Sequence, residues 1–424
     1  MRKRKEDWEA IRFEAGQLFT PSTPITAAES FSGRDKEVRQ LFEAIAERGR
    51  HAIVYGERGV GKTSLSQVVP LKLPRRLSHV LHIRKAANPQ DDFDSIWRKV
   101  FRDFTAGAPS SASNGALSLD EYFGRKLSPD DVIRGLRVFG PNEVPIIVID
   151  EFNEVRDLAT PRLMANTIKA LSDEGVNATI IVVGVADNVN QLIAGHESIS
   201  RCCEEVLMPR MRPDELRDVI QTRVAHLGMH IELPAKSKII NLSAGLPTFV
   251  HGLGKYSCYS AIDRQRMTIA ENDVDKAINE VLDSSQQSLK QAFENAIQSN
   301  QPKAKFREVL TACALAKTDS SGYFTQTAVR YPLSQMLGRP VEIGHLRPQL
   351  HELIEERRGG VIQRFGEERA FRYRFADPAM QPYVIMAGIR DGILPELAKS
   401  ALSMQSDLFS FLPPAQSKTG SNSQ

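Results

Sequence analysis

Gly56-Glu57-Arg58-Gly59-Val60-Gly61-Lys62-Thr63, flanked by the apolar run His51-Ala-Ile-Val-Tyr55 and by a helical pattern starting at Ser64, decides how the rest of the sequence is read. It fits G-x-x-x-x-G-K-[S/T], and a strand before it with a helix after it is the context that motif requires. Glycines let the backbone wrap tightly, so that its N–H groups and the following helix N-terminus point at phosphate oxygens. Lys62 then offers a mobile point charge to β- and γ-phosphates, and the Thr63 hydroxyl a ligand to Mg²⁺. The stretch from Gly56 to Ser64 is therefore taken as a nucleotide-phosphate site. A dinucleotide fingerprint fits poorly, because Gly59 and Gly61 would call for Gly or Ala where Ser64 stands.

Such a site needs an acidic residue at the end of another parallel strand, and Pro145-Ile-Ile-Val-Ile-Asp150-Glu151 supplies one. Asp150 is read as the Mg²⁺ partner and Glu151 as the general base that polarises the attacking water. The strand Ala178–Gly184 leads to Asp187 and Asn188, where two readings stand: a polar group beside the γ-phosphate, or an Asx turn entering the next helix. Arg201 precedes a short strand, Glu205–Met208, and by itself reads as half of an exposed salt bridge.

Outward from this site the pattern is α/β from Ile53 to about Met208, with a further strand at Val80–Ile83 and near-continuous apolar runs as in strands buried on both faces. Residues 108–115 read as a surface loop. From Pro213 strands are expected to stop, with helices at Glu215–Leu227, Ala235–Ser243, Pro247–Ala261 and Asn272–Leu282. His251 and Lys255 lie on the third of these, where they read as helix-surface residues or as groups facing the phosphates. A Gln/Ser/Asn-rich helical connection covers about 284–303. Helices near 305–317, 325–337 and 343–357 then precede two strands, Val361–Phe365 and Ala370–Phe375, which is the order of a winged helix. The helix at 343 offers Arg347 and Gln349 to DNA. Arg364, Arg372 and Arg374 lie on the hairpin, in a stretch with six arginines against Glu367 and Glu368. Guanidinium groups suit phosphate contacts, but alternating Arg is also what the solvated face of a two-stranded wing looks like.

The 424 residues carry 55 Lys+Arg against 52 Asp+Glu, a formal charge of +3, with 41% hydrophobic and 25% charged residues. This is ordinary globular usage, and it excludes wholesale disorder or collagen-like repetition. At about 150 residues per domain, two or three domains are expected. The four cysteines lack C-x-x-C spacing, so reduced thiols in a cytoplasmic protein are expected rather than a zinc site. The basic start Met1-Arg-Lys-Arg-Lys is not followed by an apolar stretch and is not read as a secretory signal. No membrane span is expected, because no apolar run reaches about 18 residues.

Across about residues 28–385 the sequence resembles AAA+ ATPases, in the branch of clamp loaders, origin-recognition and archaeal initiator proteins, and the related STAND signalling ATPases. Phe31-Ser-Gly33-Arg34-Asp-Lys-Glu37 looks like the box that packs near adenine, which implies ATP and a nucleotide contact for Arg34. Ser200-Arg201-Cys202 is similar to the clamp-loader motif whose arginine reaches a neighbouring subunit's γ-phosphate, and so implies Arg201 acting in trans in a homo- or hetero-oligomer. Asp187, with Asn188, falls at the sensor position. The lid helix lacks the usual arginine, and Gly245-Leu-Pro247 instead resembles the STAND turn, which places Pro247 near the nucleotide and implies slow turnover.

The resemblance thus implies a P-loop AAA+ core at 31–212 after an arm at 1–30, a helical lid at 213–283, a linker helix at 284–303, a winged helix at 304–395 and a partly disordered tail at 396–424. The expected function is an ATP-hydrolysing switch that oligomerises and engages DNA, in an initiator-like, mobile-element or phage-defence setting. The alternative is a STAND-like scaffold ATPase whose winged helix docks a protein effector, with little turnover.

Overall fold

The computed structural model describes residues 7–21, 33–73, 79–106, 119–140, 143–193, 199–299, 305–319, 321–367 and 370–404. The basic start, Phe31 and Ser32, the loop at 108–115, Glu368 and the last twenty residues of the tail lie outside them. The chain divides into two compact units, residues 24–209 and residues 1–23 together with 210–424. The first helix, α1 (Trp8–Leu18), belongs to the latter.

In the unit 24–209, β1 (His51–Gly56), β2 (His79–Ala86), β3 (Glu143–Asp150), β4 (Thr179–Val185) and β5 (Cys203–Leu207) form one sheet of order β2-β3-β4-β1-β5. Every pairing is parallel. The apolar runs explain this arrangement: Ile53 and Val54, Ile146 to Ile149, and Ile180 to Val183 are all 0% exposed, as strands covered on both faces must be. The covering helices are α2 (Asp35–Ala46), α3 (Lys62–Leu71), α4 (Phe93–Ala106), α5 (Leu119–Tyr122), α6 (Pro129–Leu136) and α7 (Thr160–Asp173). Trp97, Phe93 and Phe101 of α4 are buried against the sheet, each side chain stabilising the fold by roughly 1.5–3 kcal/mol. The Ser128–Asp131 capping box starts α6. Parallel strands put all C-terminal ends on one edge, so Gly56, Asp150 and Val185 share the edge where open α/β sheets bind ligands.

The other unit holds α8 (Pro213–His226), β6 (His230–Ile231), α9 (Leu233–Leu242), α10 (Pro247–Asp263), β7 (Thr268–Ile269) and α11 (Glu271–Ser284). Strands therefore do not stop at Pro213: β6 and β7 pair in parallel where the chain enters α9 and α11. Nor is α1 a free arm. Phe19 is 0% exposed against Gly254, Arg12 lies 4.0 Å over the Tyr259 ring and pairs with Asp263 at 2.6 Å. Against the helix-surface reading, His251 is buried and accepts the Thr20 backbone N–H at 3.0 Å.

Beyond them come α12 (Gln287–Ile297), α13 (Phe306–Ala314), β8 (Phe324–Thr325), α14 (Gln326–Leu337), α15 (Ile343–Glu352), β9 (Ile362–Phe365), β10 (Arg372–Phe375), α16 (Met380–Arg390) and α17 (Glu396–Leu402). The third helix is shorter than expected, ending at Glu352 with a separate 3-10 turn at Glu356–Arg358. The hairpin gains a third strand, giving β8-β10-β9. The linker helix α12 is part of this core: Phe293 packs on Tyr383 at 5.3 Å, and Arg358 donates to Ala296 O at 3.5 Å. The expected tail also starts as a helix, α17, held by the Asn241 amide donating to Leu402 O at 2.9 Å. Among the described residues no helix is long and apolar enough to cross a membrane, and all four cysteines are free and buried.

Candidate functional site

The loop from Gly56 to Gly61 takes conformations only glycine accepts easily. Gly56 has φ 145°, and a Cβ there would stand 2.3 Å from Met208 O, because β1 and β5 run side by side to this point. Gly59 and Gly61 have φ 84° and 96°, the latter as N-cap of α3, so the loop delivers its backbone N–H groups to the mouth of a helix. Lys62 is 7% exposed and curls back over the loop, donating to Gly56 O at 3.0 Å and Glu57 O at 2.6 Å. Burial lowers its ammonium to about 8, while the charges of Asp150 and Glu57 act against that. Thr63 and Ser64 follow on the first turn of α3, half-buried; Arg58 and Gly59 are exposed and Val60 is buried.

Arg34 is not presented to a ligand. It is 3% exposed, sits at φ 67° before α2, and donates to Val60 O at 3.3 Å and Pro209 O at 2.5 Å. Through Val60 O it is tied to the phosphate loop.

Asp150 ends β3 and is 2% exposed. Its Oδ1 accepts the Glu151 N–H at 2.8 Å, and its Oδ2 accepts Arg84 Nη2 at 2.6 Å and Nε at 3.2 Å. Glu151 is exposed with φ 55°, a sparsely populated conformation for a non-glycine residue, of the kind that clusters at functional sites. Behind it, Asn153 Oδ1 accepts the Val185 N–H at 2.8 Å and clips the turn to the end of β4. Asp187 and Asn188 follow on this edge, both exposed, with the Asp187 N–H donating to Gln191 Oε1 at 2.8 Å.

Sequence reasoning missed Arg84 and Asn153. The strand expected at Val80–Ile83 in fact runs on to Ala86 and so includes Arg84, and no motif or periodicity marks Asn153. Only strand pairing reveals their partners.

The sheet edge thus brings the phosphate loop, Asp150, Glu151 and Asp187 together and leaves Arg201 apart. Arg201 precedes β5, whose first residue Cys203 pairs with His51 at the start of β1. With about 3.3 Å per residue, five paired residues put it roughly 16 Å along the sheet from its own loop. It is exposed and ion-paired with Asp173.

The remaining candidates lie in the other unit. Pro247 is the first residue of α10, with Gly245 at φ 82° and against Arg210 in the turn before it. Arg347 is exposed on α15, whereas the Gln349 amide oxygen is buried without a hydrogen-bond partner. Arg364 lies 4.4 Å over Phe371; Arg372 and Arg374 lie 4.8 and 5.1 Å over Tyr323, and Arg374 also 4.9 Å over Phe365.

Among curated proteins, the ORC1-type DNA replication protein 1 of Sulfurisphaera tokodaii is 20% identical over 264 residues, covering 59% of this chain and 61% of that protein. The chain therefore spans less than two thirds of that relative's length. Among solved structures, the Walker-type ATPase PABY2304 of Pyrococcus abyssi aligns with a TM-score of 0.52 at 17% identity, over 87% of this chain and 99% of the other. The Aeropyrum pernix ORC1 protein, solved in complex with DNA, gives a TM-score of 0.48 at 15% identity over 89% and 96%. The first of these structures shows the shared fold. A family model for Novel STAND NTPase 1 matches residues 24–345, from before the phosphate loop well into the C-terminal segment. By the length of that match the chain belongs to the Novel STAND NTPase 1 family.

Proposed function

We propose that this P-loop NTPase is an ATP-binding and ATP-hydrolysing switch that assembles through Arg201 and engages DNA through a winged helix built from α13 to β10. The observation that carries the reading is the grouping on one sheet edge of Lys62, folded over a glycine loop, with Asp150 and Glu151 at the end of β3. The Lys62 ammonium and the loop N–H groups hold the phosphates, and the exposed Glu151 carboxylate takes the proton of the attacking water. The donor set fits Mg²⁺, a hard cation that takes oxygen ligands: the Thr63 hydroxyl and the Asp150 carboxylate would hold it. Its chemistry there is to neutralise charge between the β- and γ-phosphates.

Adenine preference is supported by the likeness to AAA+ ATPases. Engagement of DNA is supported by the replication role in the relative's name and by arginines stacked on the outer aromatic rings of the C-terminal sheet. The test is a pair of substitutions. Lys62→Ala is expected to remove at least 90% of labelled-ATP binding, while Glu151→Gln keeps binding and loses turnover. Unchanged ATP binding in the Lys62 variant overturns the assignment.

A further inference from the structure

We propose that Arg84 holds the Asp150 oxygen that a divalent cation needs, so that Arg84 is a positioning residue setting how much cation the site requires. The inference rests on the nucleotide reading above and adds a residue to it.

The geometry is specific. Arg84 stands on β2 opposite Val148, two residues before the Ala86–Asp150 pair, and its side chain runs forward along the sheet to the strand end. Two of its donors converge on Asp150 Oδ2, at 2.6 and 3.2 Å, while the other oxygen accepts the Glu151 N–H. A carboxylate that is 2% exposed and close to Lys62 thus has its charge matched by a planar fork, the arrangement in which guanidinium binds carboxylate best. A cation with two positive charges beside the same oxygen meets both an occupied acceptor and a like charge. The Arg84 side chain is 29% exposed, so it has a route to solvent when displaced. Each nucleotide-loading event then includes an exchange of Arg84 for cation at Asp150.

The test uses the full chain with ADP present and Mn²⁺ as the probe, following free Mn²⁺ by its electron paramagnetic resonance signal. Arg84→Gln is expected to lower the half-saturating Mn²⁺ concentration at least fivefold, and Arg84→Lys, which keeps the charge but not the fork, at least twofold. An unchanged or raised midpoint in both variants overturns the proposal. If the glutamine variant loses its cooperative melt, the lysine variant decides by the same criterion. A fluorescent ADP analogue is titrated in parallel. If it gives no signal with any protein, the nucleotide reading itself fails; if its signal is normal while the Mn²⁺ midpoint stays fixed, only the role of Arg84 fails.

Discussion

If Lys62 holds the phosphates as proposed, its environment predicts how nucleotide affinity varies with pH. Burial lowers its ammonium from 10.5 to about 8. Phosphate oxygens would favour the charged form, so binding takes up a proton once the free lysine is neutral. Affinity for a fluorescent ATP analogue is expected to be flat between pH 6.5 and 7.5 and to fall above about pH 8, by up to about tenfold per unit. A flat profile to pH 9.5 contradicts this. The same shift has the opposite sign for the free protein: between about 8 and 10.5 the unfolded chain holds more protons, so this lysine makes the fold more stable as pH rises through that window. At this scale the sequence was legible where chemistry is local. Gly56, Lys62, Asp150 and Glu151 are recognisable from neighbours within a few positions. Arg84 and Arg34 were not, because the groups they satisfy, Asp150 Oδ2 and Val60 O, come from another strand and another loop.

Among the elements, β10 makes the sharpest claim. Its residues Arg372 and Arg374 pair with Phe365 and Gln363 of β9, so these four share the outer face, while Tyr373 and Phe375 turn inward and are buried. Alternation with a period of two thus separates a basic, ring-backed surface from the core. If that surface meets duplex DNA, each guanidinium near a phosphate contributes about 0.9 to the slope of log affinity against log salt. Replacing Arg372 and Arg374 together with Gln is expected to reduce the slope by up to about 2 and to weaken binding at low salt at least tenfold, whereas Arg364, which pairs with Tyr373 and so lies on the other face, is expected to contribute less. Filter binding across 50–200 mM salt measures both, and absence of any affinity at low salt with ATP present removes the DNA reading. The sequence foretold the helices here but not β8, a two-residue strand with too little alternation to read, nor the docking of α1. That docking depends on Gly254, which in sequence looks only like a weak helix former; in the fold a Cβ there would stand 2.4 Å from the Phe19 ring, so the glycine is the slot that seats α1.

For the whole molecule, the α/β core was legible because strands buried on both faces announce themselves as apolar runs, and the resemblance carried the order of the segments. The joins were not legible: α12 reads as a polar linker yet buries Leu289 and Phe293, and Arg210 ties the turn before α10 to α16 by donating to Ala244 O at 3.3 Å and Gln381 Oε1 at 2.5 Å. Long-range polar contacts of this kind leave no periodic trace. Arg201 lies at the opposite end of β1 from the phosphate loop of its own chain, exposed and ion-paired with surface Asp173. If Arg201 serves a γ-phosphate, as proposed, that phosphate is a neighbour's, in a head-to-tail contact where loop and finger come from different copies. The consequence is complementation. Lys62→Ala and Arg201→Ala proteins are each expected to have little turnover alone, the first for lack of bound nucleotide and the second for lack of a finger. Mixed in equal amounts and allowed to exchange, they form intact sites wherever an Arg201→Ala subunit with its own working loop abuts a Lys62→Ala subunit that still carries the arginine. Random assembly makes that about a quarter of all sites, so turnover should recover to about a quarter of the unaltered protein's rate and rise with total protein concentration. A mixture no more active than the sum of its parts, at concentrations where the unaltered protein is fully active, means that Arg201 does not act between copies.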